Sequence, residues 1–348
     1  MAMENPLFIT VFIPVYNGEK YLQETLLSVQ KQSYIHFEVL MVDDSSSDAS
    51  LEILKNFAKN DTRFKIFTKK NGGMVAHSMN FILPEVRGDY FFYASQDDLF
   101  SEDLFEKMVQ RQRETQAHSI LPDMEFYYEK SKNSKNIKNS KQIIGLNGNR
   151  NIELSGKLAC EKSLDWSIHG FALFKSTLVK AEFFPEDAFD SDEYVTRKLF
   201  LNSNKVVFSE GVFYYRQDNS SAITKTFGKK NFYVLNTSWK LYELVKRNNF
   251  NEGVVFKRQL GIMQQYLDLF STFKSFEFEL ESDRREINTF LIDFKNSYLL
   301  HSFYFYNFKY AVLNLKWKYM LWIVVLRTPI LFRFLVSYRT ILKKKSLK

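Results

Sequence analysis

Four short apolar runs, each followed by a stretch with helical spacing, decide what the first half of this chain can become. Residues 7–13, 37–42, 64–67 and 89–94 are rich in Val, Ile, Phe and Tyr, the residues that fit a pleated surface. Between and after them apolar residues recur at helical spacing, as Leu22, Leu26 and Val29 do. Helices are predicted over 21–30, 51–58, 75–83 and 104–115. Such alternation predicts βαβ units and a mainly parallel sheet. Ligands of such sheets sit outside the carboxyl ends of the strands. Polar residues gather at those ends: Pro14-Val15-Tyr16-Asn17 after the first strand, Asp43-Asp44 after the second and Asp97-Asp98 after the fourth. This grouping points to an enzyme site for a nucleotide and a metal.

At 348 residues and 45% hydrophobic composition the chain can bury a catalytic domain plus a smaller appendage. The net charge of +8 points to an anionic partner (a nucleotide, an anionic membrane or a nucleic acid) or to a merely solvated basic surface. The single cysteine, Cys160, excludes an intramolecular disulfide framework and a Cys-based zinc site, which fits a reducing cytoplasm. Residues 7–15 are too short for a signal peptide, lack a basic flank and contain Pro14. No uninterrupted apolar span suits a transmembrane helix.

Beyond the repeats, residues 130–150 are Lys-, Asn- and Ser-rich and predict a mobile basic surface loop. Order is expected to resume at Asp165–Phe174, followed by a helix from about 191 to 201 and two strands, 205–208 and 212–215. Strand signals stop after Lys225, which predicts a domain of residues 1–226 and a helical region of residues 227–348.

Taken in order, these residues resemble a family 2 glycosyltransferase. The resemblance rests on Pro14-Val15-Tyr16-Asn17 with Leu26, Ser28, Val29 and Gln32, on Val42-Asp43-Asp44-Ser45-Ser46-Ser47-Asp48, and on Asn71-Gly72-Gly73 with Asn80 leading to Gly88-Asp89-Tyr90 and Gln96-Asp97-Asp98. Asp190-Ser191-Asp192-Glu193-Tyr194 and Tyr214-Tyr215-Arg216-Gln217 complete it, over about two-thirds of the chain. It implies a GT-A fold, α/β with a Rossmann-like, mainly parallel central sheet flanked by helices, and an inverting transfer from a nucleotide-sugar donor, UDP-linked in the first instance, to a hydroxyl of a glycan or lipid-linked glycan acceptor.

Each expected role has a physical reason. Tyr16 offers a face or edge to a nucleotide base, with Pro14 fixing the turn. Asp44 accepts a hydrogen bond from a uracil-type imide, and Asp43 caps or turns the chain. By resemblance Asp97-Asp98 matches a DxD-type motif: Asp98 is the ligand of Mg2+ or Mn2+, with Asp97 toward the ribose or a metal-bound water. A hard cation offsets the charge of a departing diphosphate. A helix cap is the alternative reading of that pair. In the acidic segment at a helix start, Asp192 is the expected base, with Glu193 second and Asp190 third; the alternative is that all three complement the helix dipole. Trp166 and His169 are expected at the acceptor wall or in the core. Arg216 is expected to reach the diphosphate, and Asn71-Gly72-Gly73 to bring backbone near the donor or to form a plain turn. No His follows Arg216, which sets aside a His-dependent phosphate or metal contact. The Gln-x-x-Arg-Trp signature of processive members is absent, implying one sugar per encounter.

From Tyr298 the chain turns aromatic and basic, ending in Lys343-Lys344-Lys345 and Lys348. Arg327, Pro329 and Arg333 disfavour a spanning helix. Amphipathic helices on an anionic inner membrane face fit, as do a dimer interface and an appendage packed on the catalytic domain. No nucleic-acid module is present. A sugar nucleotidyltransferase and an inactive binding or scaffold protein are the competing readings.

Overall fold

The computed structural model describes residues 6–129, 141–220, 225, 227–299 and, between 324 and 338, all but 326, 327, 329 and 333. The chain divides into two compact units, residues 1–186 with 191–226, and residues 187–190 with 227–348.

The first unit opens with the expected repeats: β1 (Ile9–Val15), α1 (Glu19–Gln30), β2 (Phe37–Asp43), α2 (Ser50–Asn60), β3 (Phe64–Thr68), α3 (Val75–Ile82), β4 (Tyr90–Tyr93) and, after a short β5 (Leu99–Phe100), α4 (Leu104–Thr115). There follow β6 (Ser119–Tyr127), β7 (Gln142–Ile143), α5 (Gly156–Ser163), β8 (Leu173–Lys175), α6 (Ser176–Lys180), α7 (Ser191–Asn202) and β9 (Val206–Arg216). The strand order is β3-β2-β1-β4-β8-β6-β9-β5, with β7 beside β6. β3, β2, β1 and β4 are parallel, so their carboxyl ends share one edge. β8 runs antiparallel to both β4 and β6, which makes the sheet mixed overall. The α/β class read from the sequence is the class observed.

Pro14 lies inside β1 rather than in a turn. Pairing with β4 ends at Phe12 opposite Tyr93, whereas pairing with β2 runs on to Val15 opposite Asp43. In this strand even-numbered residues turn their main chain toward β4, as Phe12 does in accepting from Ala94 N–H. The missing N–H of Pro14 therefore falls where β4 has no residue left to pair, and the ladder loses nothing.

Two strand expectations are corrected. Residues 205–208 and 212–215 form one continuous strand, β9. β9 bulges against its partner β6: Leu121 pairs with Phe208 and Asp123 with Val212, so the extra residues of β9 lie opposite Pro122. That bulge also explains why β6 is not legible in the sequence: Pro122 interrupts the run, and a bulge is where a sheet tolerates proline. Gly211 belongs to β9 because α4 crosses it closely; a Cβ there would stand 2.7 Å from Leu104 Cα. Phe92, Phe100, Phe105 and Phe213 fill the space beneath, with Phe100 and Phe213 centroids 5.6 Å apart.

The predicted loop 130–150 is corrected where it is described. Gln142 and Ile143 pair with β6 as β7. Arg150 donates through Nε to both oxygens of Asp123 at 3.0 Å, which ties the end of the segment to the sheet. Residues 130–140 lie outside the described residues.

The second unit contains α8 (Val234–Arg247), α9 (Glu252–Ser275) and α10 (Glu281–Phe294). Aromatic residues join them: Tyr266 of α9 stacks on Phe294 of α10 at 6.3 Å, and Trp239 of α8 meets the same Phe294 at 6.5 Å. Phe332 packs on Phe270 at 5.1 Å, so at least this aromatic of the C-terminal region is used internally. Among the described residues no helix is long and apolar enough to cross a membrane. The basic tail and the 301–306 aromatic run lie outside the described residues.

Candidate active site

The loops at the carboxyl ends of β3, β2, β1 and β4 are hydrogen-bonded to one another in sheet order. After β3, Lys69 Nζ reaches Asp44 Oδ1 at 2.6 Å and the Gly72 N–H donates to the same carboxylate at 3.0 Å. Asn71 closes this loop by accepting from Gly73 N–H through Oδ1 at 2.7 Å. After β2, Ser45 is left-handed, with φ of 61°, and Ser46 and Ser47 turn toward the β1 loop. Asn17, also left-handed with φ of 47°, donates its N–H to Ser46 Oγ at 3.0 Å and accepts from Ser47 N–H at 2.8 Å. After β4, the Gln96 side chain bonds the backbone of Tyr16. Tyr16, on the β1 loop, is 50% exposed, free to present its ring to a ligand.

Asp98 stands deeper, fully buried. Its Oδ1 accepts from the Arg216 main-chain N–H at 3.1 Å. Its Oδ2 has no hydrogen-bond partner among the described residues. Burial, reinforced by the neighbouring Asp97 charge, pushes its carboxyl well above the usual carboxylate range. Asp97 is held by Asn219, whose Nδ2 donates to Oδ2 at 2.6 Å. A buried carboxylate oxygen with nothing to accept fits a hard divalent cation. No cluster of three or more His, Cys, Asp or Glu suited to a metal occurs among the described residues, so phosphate oxygens and water would complete the shell.

The Tyr215 hydroxyl is pushed up to about 12, first by burial and then by Asp98, Asp97, Glu193 and Asp192. One ring thus feels both the acidic pair and the start of α7. Glu193 forms an ion pair with Arg197 one turn on. That arginine is buried and also donates to the Ser163 carbonyl at 2.9 Å. Asp192 shares the first turn of α7.

Arg216 departs from expectation. Its side chain is fully buried and faces Glu24, Asp218 and Glu129 rather than open space. Nε donates to the Asp97 carbonyl at 2.8 Å, and the guanidinium carbon lies 4.3 Å from the Tyr21 centroid and 4.9 Å from that of Tyr127. The guanidinium braces the acidic pair from behind instead of projecting toward a phosphate.

His169 is corrected as an acceptor wall. It is 2% exposed, its Nε2–H donates to the Pro122 carbonyl at 2.8 Å, and its Nδ1 accepts from Phe171 N–H at 3.2 Å. Burial lowers its pKa to about 4, so the ring is neutral. Trp166 is 40% exposed and holds φ of 61°, an uncommon conformation for a bulky residue. Gln96, Lys69, Arg197 and Asn219 escaped the sequence reading. Gln96 stood inside a quoted motif; the others carry no motif, because their partners are set by folding.

A parallel strand edge with an exposed tyrosine, a recessed carboxylate at β2 and an acidic pair at β4, of which Asp98 is buried, has the layout of an enzyme of the nucleotide-binding α/β class. The first unit of the chain belongs to glycosyltransferase family 2: residues 10–181 match the model described as Glycosyl transferase family 2. Glycosyltransferase GlyG of Streptococcus pneumoniae serotype 4 is 27% identical over 238 residues, 63% of this chain and 74% of GlyG. Poly(ribitol-phosphate) beta-N-acetylglucosaminyltransferase TarS of Staphylococcus aureus is 25% identical over 213 residues, 59% of this chain but 35% of TarS. The crystal structure of TarS residues 1–349 with UDP-GlcNAc superposes with a TM-score of 0.59 at 17% identity, covering 82% of this chain and 81% of that one, which establishes the GT-A fold. This chain spans 37% of a further relative, GlyA of the same pneumococcal strain.

Proposed function

We propose that the protein is an inverting glycosyltransferase that moves a hexosyl or N-acetylhexosaminyl group from a UDP-sugar to a hydroxyl of a glycan or lipid-linked glycan in surface polysaccharide synthesis. The carrying observation is the continuous row of strand-end loops from Asp44 through Tyr16 to Asp97-Asp98. It offers a ring and an imide acceptor for a base beside an acidic pair for a metal-bound diphosphate. Tyr16, with Pro14 behind it, walls the base; Asp44 accepts from the imide; Asn71 shapes the adjoining turn. UDP-GlcNAc as the ligand of TarS supports a UDP-linked donor for a chain of the same fold.

Asp98, with Asp97 beside it, would hold Mg2+ or Mn2+, which when bound supplies positive charge to the leaving diphosphate. Asp97 also lies toward the ribose. Arg216 keeps the pair in place. Asp192 takes the proton from the acceptor hydroxyl as its oxygen attacks the anomeric carbon; the bond to the diphosphate breaks, and the electron pair leaves with it. Glu193, which pairs with Arg197, is the second candidate. Trp166 offers its indole face to the acceptor sugar. The C-terminal region and its basic tail serve a peripheral site at the inner face of the cell membrane. The test is a screen of UDP-, GDP- and dTDP-sugars read by nucleoside diphosphate release. Release from UDP-sugars alone supports the reading, and none from any donor refutes it.

A further inference from the structure

Gln96 sits between Ser95 and the acidic pair, where phosphate and metal chemistry do not ask for an amide. Its side chain turns away from that chemistry toward the β1 loop. Oε1 accepts from Tyr16 N–H at 2.9 Å, and Nε2 donates to the Tyr16 carbonyl at 3.0 Å. Both ends of one amide thus serve the backbone of one residue, as a neighbouring strand would. They do so beyond the point where β4 ends at Tyr93 and its pairing with β1 stops at Phe12. Tyr16, like Phe12, turns its main chain to the β4 side, so the amide resumes the ladder that stops where β4 ends. Only one orientation of the amide satisfies both bonds.

The clamp is itself held. Thr25 Oγ1 of α1 donates to the Gln96 carbonyl at 3.0 Å. Gly18 leaves the space the amide fills, since a Cβ there would stand 2.4 Å from Gln96 Oε1. The next residue along, Asp97, is anchored through its own carbonyl by Arg216 Nε at 2.8 Å. The link from the Tyr16 main chain to the acidic pair therefore runs through one side chain and one peptide, without slack.

We infer that Gln96 is a positioning residue that couples the nucleoside wall to the acidic pair, so that a base at Tyr16 and a divalent cation at Asp98 strengthen each other's binding. The inference rests on the donor-site reading above. Two separate loops would each lose their own conformational freedom on binding a ligand. Joined by Gln96, the loop ordered first leaves less for the second ligand to order, and the coupling is reciprocal.

Uridine isolates this coupling, because it lacks the diphosphate and cannot ligate the metal. Mn2+ affinity of the full chain is measured by electron paramagnetic resonance with and without saturating uridine, for wild type, Gln96→Ala and Gln96→Glu. Glutamate keeps the acceptor for Tyr16 N–H and removes the donor, so it stands in if alanine disturbs folding; thermal melting of each variant checks this. The expected result is that uridine tightens Mn2+ about fivefold in wild type, the scale of one or two net hydrogen bonds, and not at all in the variants. A wild-type Mn2+ affinity indifferent to uridine, or a coupling that survives both substitutions, overturns the inference. UDP is titrated in parallel: if it fails to bind wild type, the donor-site reading falls, and the coupling with it.

Discussion

The main-chain N–H of Arg216 donates to Asp98 Oδ1 at 3.1 Å, so the last residue of β9 pins the acidic pair that follows β4. The same residue's guanidinium holds the Asp97 carbonyl and lies against the rings of Tyr21 and Tyr127. A planar cation with five donors suits this place; a lysine ammonium cannot stack and fork at once. Arg216→Lys is expected to lower stability by about 2 kcal/mol in urea denaturation, the size of a broken buried network. It should also weaken Mn2+-dependent UDP binding more than tenfold, measured by calorimetry.

The buried, neutral His169 gives stability a pH dependence of definite sign. Its pKa falls from the ordinary 6.5 to about 4 on folding, because burial disfavours the imidazolium. Between those values the unfolded chain binds more protons than the folded one. The contribution is therefore complete above pH 6.5 and is lost as pH falls toward 4, amounting to about 3 kcal/mol. His169→Gln keeps a donor for the Pro122 carbonyl without the titration. Urea denaturation at pH 7.5 and pH 5 should show the variant losing less stability than wild type across that interval.

The two carboxylates at the start of α7 are given different roles in the proposal. Glu193 is paired with buried Arg197, so Glu193→Gln should lower the melting temperature and reduce turnover less than tenfold. Asp192→Asn should cut turnover by 10²–10⁴, the usual contribution of a general base, with UDP affinity unchanged. Steady-state UDP release and calorimetry on both variants distinguish the roles; a reversed order of the two turnover losses assigns the base to Glu193.

Trp166 combines exposure with a left-handed backbone at φ of 61°. Glycine adopts that conformation without the Cβ cost, so Trp166→Gly should be about 1 kcal/mol more stable than Trp166→Ala in chemical denaturation. Both should raise the acceptor KM while leaving UDP affinity unchanged. A conformation kept despite its cost, at an open indole, is consistent with a residue retained for contact with a ligand.

The repeats of the first half were legible because each strand is a short β-branched or aromatic run and each helix carries its own apolar stripe; the helix over 104–115 agrees with α4 at both ends. The placement of Asp44, Asp97 and Asp98 on one side of the sheet was legible because strand ends in a parallel sheet share one edge. Three features were not. β6 hides behind Pro122, which only a bulge excuses. His169 looks like a site residue in sequence, and only burial shows that both ring nitrogens are spent inside the domain. Arg216 sits at the right strand end, but three carboxylates from α1 and the loops after β6 and β9 claim its charge, a convergence that no local pattern announces.

The central claim is that one strand-end row binds both ends of a nucleotide-sugar. Calorimetric titration of UDP-GlcNAc into the wild-type chain, Tyr16→Ala and Asp98→Asn, each with and without Mn2+, tests it most directly. The account predicts one site per chain in wild type, tightened by Mn2+, weakened by loss of the Tyr16 ring in either condition, and made indifferent to Mn2+ by Asp98→Asn. No binding by wild type, or binding that neither substitution alters, would contradict it.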